Sequence, residues 1–292
     1  MPELPEVETI ARTLEPLIQG ATFTGARVLL PRSLAPGSLP LEQLDGRHVG
    51  SVTRRGKLLL IALAPLAPCP PRSGDTTPHC LAVHLKMTGR LFVHPGEAAP
   101  GPHTRVIFPL RTACGECRQL FFDDTRTFGF VRLLSPASLA DWAFWRTLGP
   151  EPLNTPPAAL ARRLCAHHRA IKAVLLDQHV VAGVGNIYAD EALFRAGLDP
   201  RTPACHIPAR RAQALCRRLC EVLREAIAQC GSSIRDYRTA RGDAGAFQNS
   251  FRVYGRAGEP CLACATPLVR VRVAGRATVY CSRCQELLDG AE

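Results

Sequence analysis

Cys261 and Cys264, followed by Cys281 and Cys284, form two Cys-x2-Cys pairs separated by sixteen residues. Each pair can close a knuckle around a metal, and two knuckles at this separation supply four thiolates to one tetrahedral ion, the ligand set of structural zinc. Four unliganded core cysteines are the competing reading, but the last forty residues lack enough apolar side chains to fold without a staple. The chain fills all four ligand positions, so the expected cofactor is one structural zinc ion, with no place for water or substrate. The spacer reads as a β-hairpin presenting Arg270, Arg272 and Arg276. On spacing alone, this is a zinc ribbon with a basic face.

The other cysteines are less regular. Cys114-x2-Cys117 sits in an expected hairpin turn, and Cys69 and Cys80 flank a Pro-rich loop from Ala64 to His79, so these four form a candidate second metal set. Cys216 and Cys220, four apart on an apolar helical pattern, read as core. Thirteen cysteines without a leader-like N-terminus point to a reducing, cytoplasmic setting. The longest apolar run, Leu58 to Ala64, is too short to span a membrane.

Charge narrows the partner. The formal net charge is +11, and from Arg201 onward fifteen Arg face eight acidic residues. An excess of this kind favours polyanions, because it displaces counterions condensed on nucleic acid. Of 36 Lys and Arg, only Lys57, Lys86 and Lys172 are lysines. A lysine kept where arginine supplies routine charge is a candidate for work that needs a compact amine.

The hydrophobic periodicity predicts an α+β, multi-domain chain. Val7, Ile10, Ala11, Leu14, Leu17 and Ile18 make one helical face after a very short tail, with Pro5 in the first turn and Gly20 at the stop. Short apolar runs between residues 23 and 123 then read as antiparallel strands, giving an N-terminal β-sandwich flanked by helices over 1–134. Pro150, Pro152, Pro156 and Pro157 suggest a Pro-rich linker over 135–157. Helical patterns at 158–168, 170–177, 187–196 and 208–230 form a domain over 158–250. A polar, Gly-containing stretch from Arg235 to Gly245 reads as a mobile loop within it. The zinc hairpin occupies 251–292.

The opening Met1-Pro2-Glu3-Leu4-Pro5-Glu6-Val7-Glu8 is the most specific motif. With Lys57 after a basic turn, His84-Leu85-Lys86-Met87-Thr88-Gly89, Asp124 to Gly129, Val184-Gly185-Asn186-Ile187-Tyr188 and Val253 to Cys261, it resembles the formamidopyrimidine-DNA glycosylase family in motif order across residues 2–284. The resemblance implies a helix-two-turns-helix domain between the sandwich and the zinc hairpin. It also implies a bifunctional glycosylase and abasic-site lyase of base excision repair, acting on oxidised purines such as 8-oxoguanine and formamidopyrimidines. The implied partner is double-stranded DNA containing oxidised bases or abasic sites, bound by a monomer associated with the nucleoid.

The same resemblance implies roles for particular residues. Removal of Met1 frees the secondary amine of Pro2, with a reference pKa of about 8, to attack the sugar C1′. Because that nitrogen is secondary the adduct is a cationic iminium, an electron sink for successive phosphate eliminations. Glu3 is the acid/base residue, Glu6 supports the site, and Lys57 assists elimination. Met87, Arg126 and Phe128 fill the void left by the extruded nucleotide. Lys172, Gly185, Asn186 and Arg276 grip phosphates. The segment 239–245 is expected to cover the extruded base, while Glu8, read from its place in the helix and not from the resemblance, serves the helix N-terminus. Lys86 departs from the family's common Gly, and Thr127 from its common Arg.

Three other readings compete. A non-catalytic DNA-binding protein leaves Pro2, Glu3 and Lys57 unexplained. A glycosylase for oxidised pyrimidines fits less well with Leu4 and with the Tyr254-Gly255-Arg256 approach to the zinc site. An RNA-binding zinc protein leaves the N-terminus without a purpose.

Overall fold

A computed structural model describes residues 1–64, 77–233 and 237–289. Cys69, most of the expected 64–79 loop, and Arg235 lie outside the described residues. The chain forms two compact units, 1–147 with 230–245, and 148–229 with 246–289 of the described residues.

In the first unit α1 (Leu4–Ile18) buries Val7, Ile10, Ala11, Leu14 and Ile18 along one face, as the spacing predicts. Nine strands follow among the described residues: β1 (Thr22–Phe23), β2 (Arg27–Val28), β3 (His48–Arg55), β4 (Leu58–Ala64), β5 (Cys80–His84), β6 (Gly89–Pro95), β7 (Thr104–Arg111), β8 (Cys117–Asp124) and β9 (Phe130–Leu134). They hydrogen-bond in the order β6-β8-β7-β1-β3-β4-β5-β9, with β2 on β7. The halves of this path meet through the two-residue β1. Inward residues of both, among them Leu91, Phe108 and Phe122 from one and Val52, Ile61, Leu81 and Val131 from the other, join α1 in one apolar cluster. That shared core makes the unit a sandwich, each fully buried Leu or Phe contributing roughly 1.5–3 kcal/mol.

The expected linker is partly a folded element. Residues 136–147 form α2 (Pro136–Asp141) and α3 (Ala143–Thr147). Ser135 starts α2 with a capping box, and Trp142, Phe144 and Trp145 pack on the sheet face carrying Leu58, Cys80, Ala82 and Leu134. Four prolines signalled a linker, but the three aromatics upstream of them decided the packing, and the unit boundary falls at Thr147.

The described part of 230–245 is likewise folded into the first unit. Tyr237 and Ala240 belong to the sandwich cluster. The Ala240 amide donates to Thr13 Oγ1 at 3.3 Å, and the Thr239–Asp243 turn closes on its own backbone.

In the second unit α4 (Pro157–Cys165), α5 (Ile171–Leu176), α6 (Asn186–Ala196) and α7 (Ala209–Ala228) follow the four helical patterns closely. Helix α7 buries Ala212, Leu215, Cys216, Leu219, Cys220, Val222, Leu223 and Ala226, so both cysteines are core. Between α5 and α6, Gln178 holds two turns together: its Oε1 accepts from Gly183 N at 2.9 Å and its Nε2 donates to Val184 O at 2.8 Å. Strands β10 (Val269–Val273) and β11 (Arg276–Tyr280) make the expected hairpin. Its turn residues Ala274 and Gly275 both have positive φ, 50° and 72°, as a two-residue primed turn requires. The expected separate helical and zinc domains therefore form one compact unit.

Candidate active site and nucleic-acid interface

Pro2 is buried while Met1 is about half exposed, so the first peptide bond sits at the surface of the site. Glu3 is the N-cap of α1 and forms a capping box with Glu6. The Glu6 carboxylate is almost wholly buried. One oxygen accepts from Glu3 N at 2.8 Å, and the other accepts from Ser232 N at 2.9 Å and Ser232 Oγ at 3.1 Å. Glu3 is also buried. A Cβ on Gly231 would stand 3.0 Å from Glu6 Oε1, and the φ of +77° there favours glycine as well. Ser232 was not singled out in the sequence; it follows the helical pattern that ends at residue 230.

Lys57 lies in the tight turn between β3 and β4, beside Gly56 at φ +58°, and is 7% exposed. This hairpin is fastened to α1 by a 2.7 Å ion pair from Arg54 to Glu8, whose other oxygen pairs with Arg12. Glu8 thus does more than serve the helix N-terminus. The nearby His84 ring is buried, and its Nδ1 accepts from Lys86 N at 3.0 Å. Burial first, then the charges of Lys86 and Lys57, push its pKa down to about 3. A neutral imidazole therefore stands among two ammonium groups.

Met87, Arg126 and Phe128 come together at the surface. Arg126 Nη1 lies 3.2 Å from Met87 Sδ, and its guanidinium carbon is 4.9 Å from the Phe128 ring centroid. Two large apolar side chains are exposed here, at 39% for Met87 and 53% for Phe128. Both departures from the family pattern adopt left-handed backbone, Lys86 at φ +51° and Thr127 at φ +56°. Such non-glycine positions cost of order 1 kcal/mol or more each. The steric reason for the family's Gly at position 86 is thus still present in this chain.

In the second unit Gly185 is the N-cap of α6 and Asn186 its first residue. Asn186 Nδ2 donates to Ala277 O at 3.0 Å, next to the exposed Arg276 at the start of β11. Lys172, expected from the resemblance to grip phosphate, is completely buried. Its ammonium pairs with Asp190 Oδ1 at 2.6 Å and donates to Thr278 Oγ1 at 2.7 Å and Ala277 O at 3.3 Å. It joins α5 to α6 and the hairpin. Burial raises the Asp190 pKa to about 6 against the opposing pull of Lys172. Neighbouring Glu191, also buried, accepts from the amides of Arg252, Val253 and Tyr254 at 2.9–3.0 Å. Helix α6 thus holds both the hairpin and the irregular segment at Arg252–Tyr254 that precedes it.

The four sulfurs of Cys261, Cys264, Cys281 and Cys284 all lie within 4.8 Å of one another. That separation and the all-thiolate donor set fit one tetrahedral zinc. Among the described residues no other group of three or more ligands converges in this way. Of the candidate second set, Cys69 lies outside the described residues, Cys80 is buried in β5, and Cys114 and Cys117 are exposed at the β7–β8 turn. No described helix is long and apolar enough to cross a membrane.

Comparison with known proteins agrees with this arrangement. The family models that match are the formamidopyrimidine-DNA glycosylase N-terminal domain over residues 1–131, the formamidopyrimidine-DNA glycosylase H2TH domain over 148–238, and the zinc finger found in FPG and IleRS over 258–287. A formamidopyrimidine-DNA glycosylase of Nitratidesulfovibrio vulgaris is 45% identical, the match covering 98% of this chain and all of the relative. The Lactococcus lactis Fpg in complex with abasic-site DNA superposes with a TM-score of 0.84 at 31% identity, over 97% of this chain and 99% of that one. MutM in complex with DNA containing carbocyclic 8-oxo-G gives 0.83 at 31% identity, over 98% and 100%. The motifs, the fold and the full-length similarity converge: this chain belongs to the formamidopyrimidine-DNA glycosylase family.

Proposed function

We propose that this protein is a base-excision repair glycosylase for oxidised purines in double-stranded DNA, and that it cleaves the strand through a covalent adduct at Pro2. The observation that carries the reading is the placement of buried Pro2 directly before a helix whose N-cap Glu3 and first-turn Glu6 are both buried carboxylates. Relatives matched over nearly the whole of this chain supply the substrate class.

After Met1 is removed, the Pro2 nitrogen lone pair attacks C1′ of the damaged nucleotide. The N–C1′ bond forms as the glycosidic bond breaks, and the base departs with a proton delivered by an acid, the role assigned to Glu3; once the nitrogen has lost its own proton, its lone pair breaks C1′–O4′, O4′ takes up a proton as a hydroxyl, and the cationic iminium is left. The iminium acidifies C2′. Loss of that proton sends an electron pair to expel the 3′ phosphate, and a second elimination expels the 5′ phosphate before water releases the sugar fragment. Lys57 supplies positive charge to the departing phosphates. Met87, Arg126 and Phe128 occupy the void in the duplex. Gly185, Asn186 and Arg276 hold the backbone, and Lys172 acts by fixing Ala277 and Thr278 beside Arg276. The zinc sits outside this chemistry and shapes the hairpin. The protein works as a monomer on nucleoid DNA.

Borohydride reduction with duplex DNA containing 8-oxoguanine opposite cytosine tests the assignment. The processed protein should be trapped covalently, and Pro2→Gly or retained Met1 should abolish trapping. Full trapping by either altered form would overturn the nucleophile.

A further inference from the structure

Asp124 ends β8 with no exposed surface, and its carboxylate has no ion-pair partner among the described residues. Its charge is instead spent on two turns. Oδ1 accepts from Thr88 Oγ1 at 2.5 Å and from Arg126 N at 3.2 Å, and Oδ2 accepts from Gly129 N at 2.7 Å. Thr88 Oγ1 also accepts from Arg126 N at 3.0 Å, closing the network.

Every donor in it belongs to, or directly follows, one of the three surface residues: Thr88 follows Met87, Arg126 donates its own amide, and Gly129 follows Phe128. Space is as restricted as the bonding. A Cβ on Gly129 would stand 2.8 Å from Phe122 Cζ and 3.1 Å from Asp124 Oδ2. Gly89 is equally confined, its Cβ falling 2.5 Å from Leu85 O. The left-handed residues Lys86 and Thr127 each precede a member of the trio, so the carboxylate fastens turns whose backbone would otherwise relax.

We infer that Asp124 is the positioning residue for the void-filling trio, so that extrusion of a base from a duplex depends on it while chemistry at an already unpaired sugar does not. The inference rests on the glycosylase reading above. It makes separate demands on two substrates, which a general folding role does not.

Asp124→Asn is the sharpest probe. An amide has one acceptor oxygen, and its nitrogen would face either Gly129 N–H or the Thr88 and Arg126 donors. Loss of a buried charge-assisted bond of this kind should slow single-turnover excision of 8-oxoguanine from duplex DNA by about tenfold or more, with borohydride trapping on a single-stranded abasic oligonucleotide within about twofold of wild type. Thr88→Val, which removes the bridging hydroxyl and keeps the carboxylate, should show the same split and serves if the Asn variant folds poorly. Equal losses on both substrates, or no loss on the duplex, would overturn the inference. A wild-type protein that traps neither substrate would instead sink the glycosylase reading on which it depends.

Discussion

Glu6 and Ser232, 226 positions apart, are joined by two hydrogen bonds to one buried carboxylate oxygen, at 2.9 Å from the Ser232 amide and 3.1 Å from its hydroxyl. The other oxygen of Glu6 holds the Glu3 amide at 2.8 Å. One side chain therefore fixes both Glu3, the residue after Pro2, and the start of the 230–245 segment, which is how a two-residue tail acquires a defined direction.

Replacing Glu6 tests that coupling. Glu6→Ala leaves buried N–H and O–H donors without this acceptor, each costing about 1–3 kcal/mol, so urea denaturation should show a clear loss of stability. Glu6→Gln keeps one acceptor and turns its amide toward a donor on the other side. It should lose covalent trapping by about tenfold or more at a smaller stability cost. If Glu6→Gln trapped at the wild-type rate, the carboxylate would be organising only the fold.

Acid stability should report on His84. Its pKa falls from 6.5 to about 3 on folding, through burial and the two lysines. The folded state keeps the ring neutral while the unfolded chain takes up a proton below pH 6.5. The stability is therefore fully present above 6.5 and lost progressively as pH falls toward 3, at up to about 1.4 kcal/mol per pH unit. His84→Gln should flatten that part of the profile in chemical denaturation of the full chain. An unchanged slope would mean that His84 is solvated and charged in solution.

Metal content gives a simpler check. One zinc per chain is expected from four converging thiolates, and chelation should loosen the hairpin that carries Arg276 and weaken DNA binding. Arg276→Ala should weaken binding without loss of zinc and lower the salt-dependence slope by about one. Two zinc ions per chain would reopen the question of the cysteines at the β7–β8 turn.

The parts of this architecture that were legible in the sequence are those written in local patterns. The face of α1, the four helices of the second unit and the four-cysteine hairpin each follow from spacing within a few turns of chain. The strand β9 and the helices α2 and α3 were not recognised, because Phe130 to Thr147 gets its structure from what it covers: Trp142 and Phe144 pack on Cys80 and Ala82, far away in sequence. The site divides in the same way. Pro2, Glu3, Lys57 and the exposed trio were singled out through motifs, as was the run that begins at Asp124, whereas the bonds of Ser232 to Glu6 and of Glu191 to the Arg252, Val253 and Tyr254 amides cross long stretches of chain that no local pattern announces. Lys172 was singled out by its motif and is fully buried, since a motif match fixes a position in the chain but not whether that position faces solvent.

Lys172 also provides the most discriminating mutation in the second unit. Lys172→Met removes one partner of a fully buried ion pair, for which losses of about 3–5 kcal/mol are typical, and frees the Ala277 carbonyl and Thr278 hydroxyl beside Arg276. DNA affinity should fall even though the substituted residue never reaches the solvent. The sign of the pH dependence follows from Asp190, whose pKa is raised from 3.8 to about 6 by burial. The folded state binds that proton more tightly than the unfolded chain, so this group favours folding progressively as pH drops from above 6 toward 3.8. Without Lys172 the carboxyl loses the charge that holds its pKa down and moves higher still. The variant's stability deficit should therefore be largest at neutral pH and shrink on acidification toward pH 5. A deficit independent of pH would mean that Lys172 contributes through packing of its methylene stem and not through its charge.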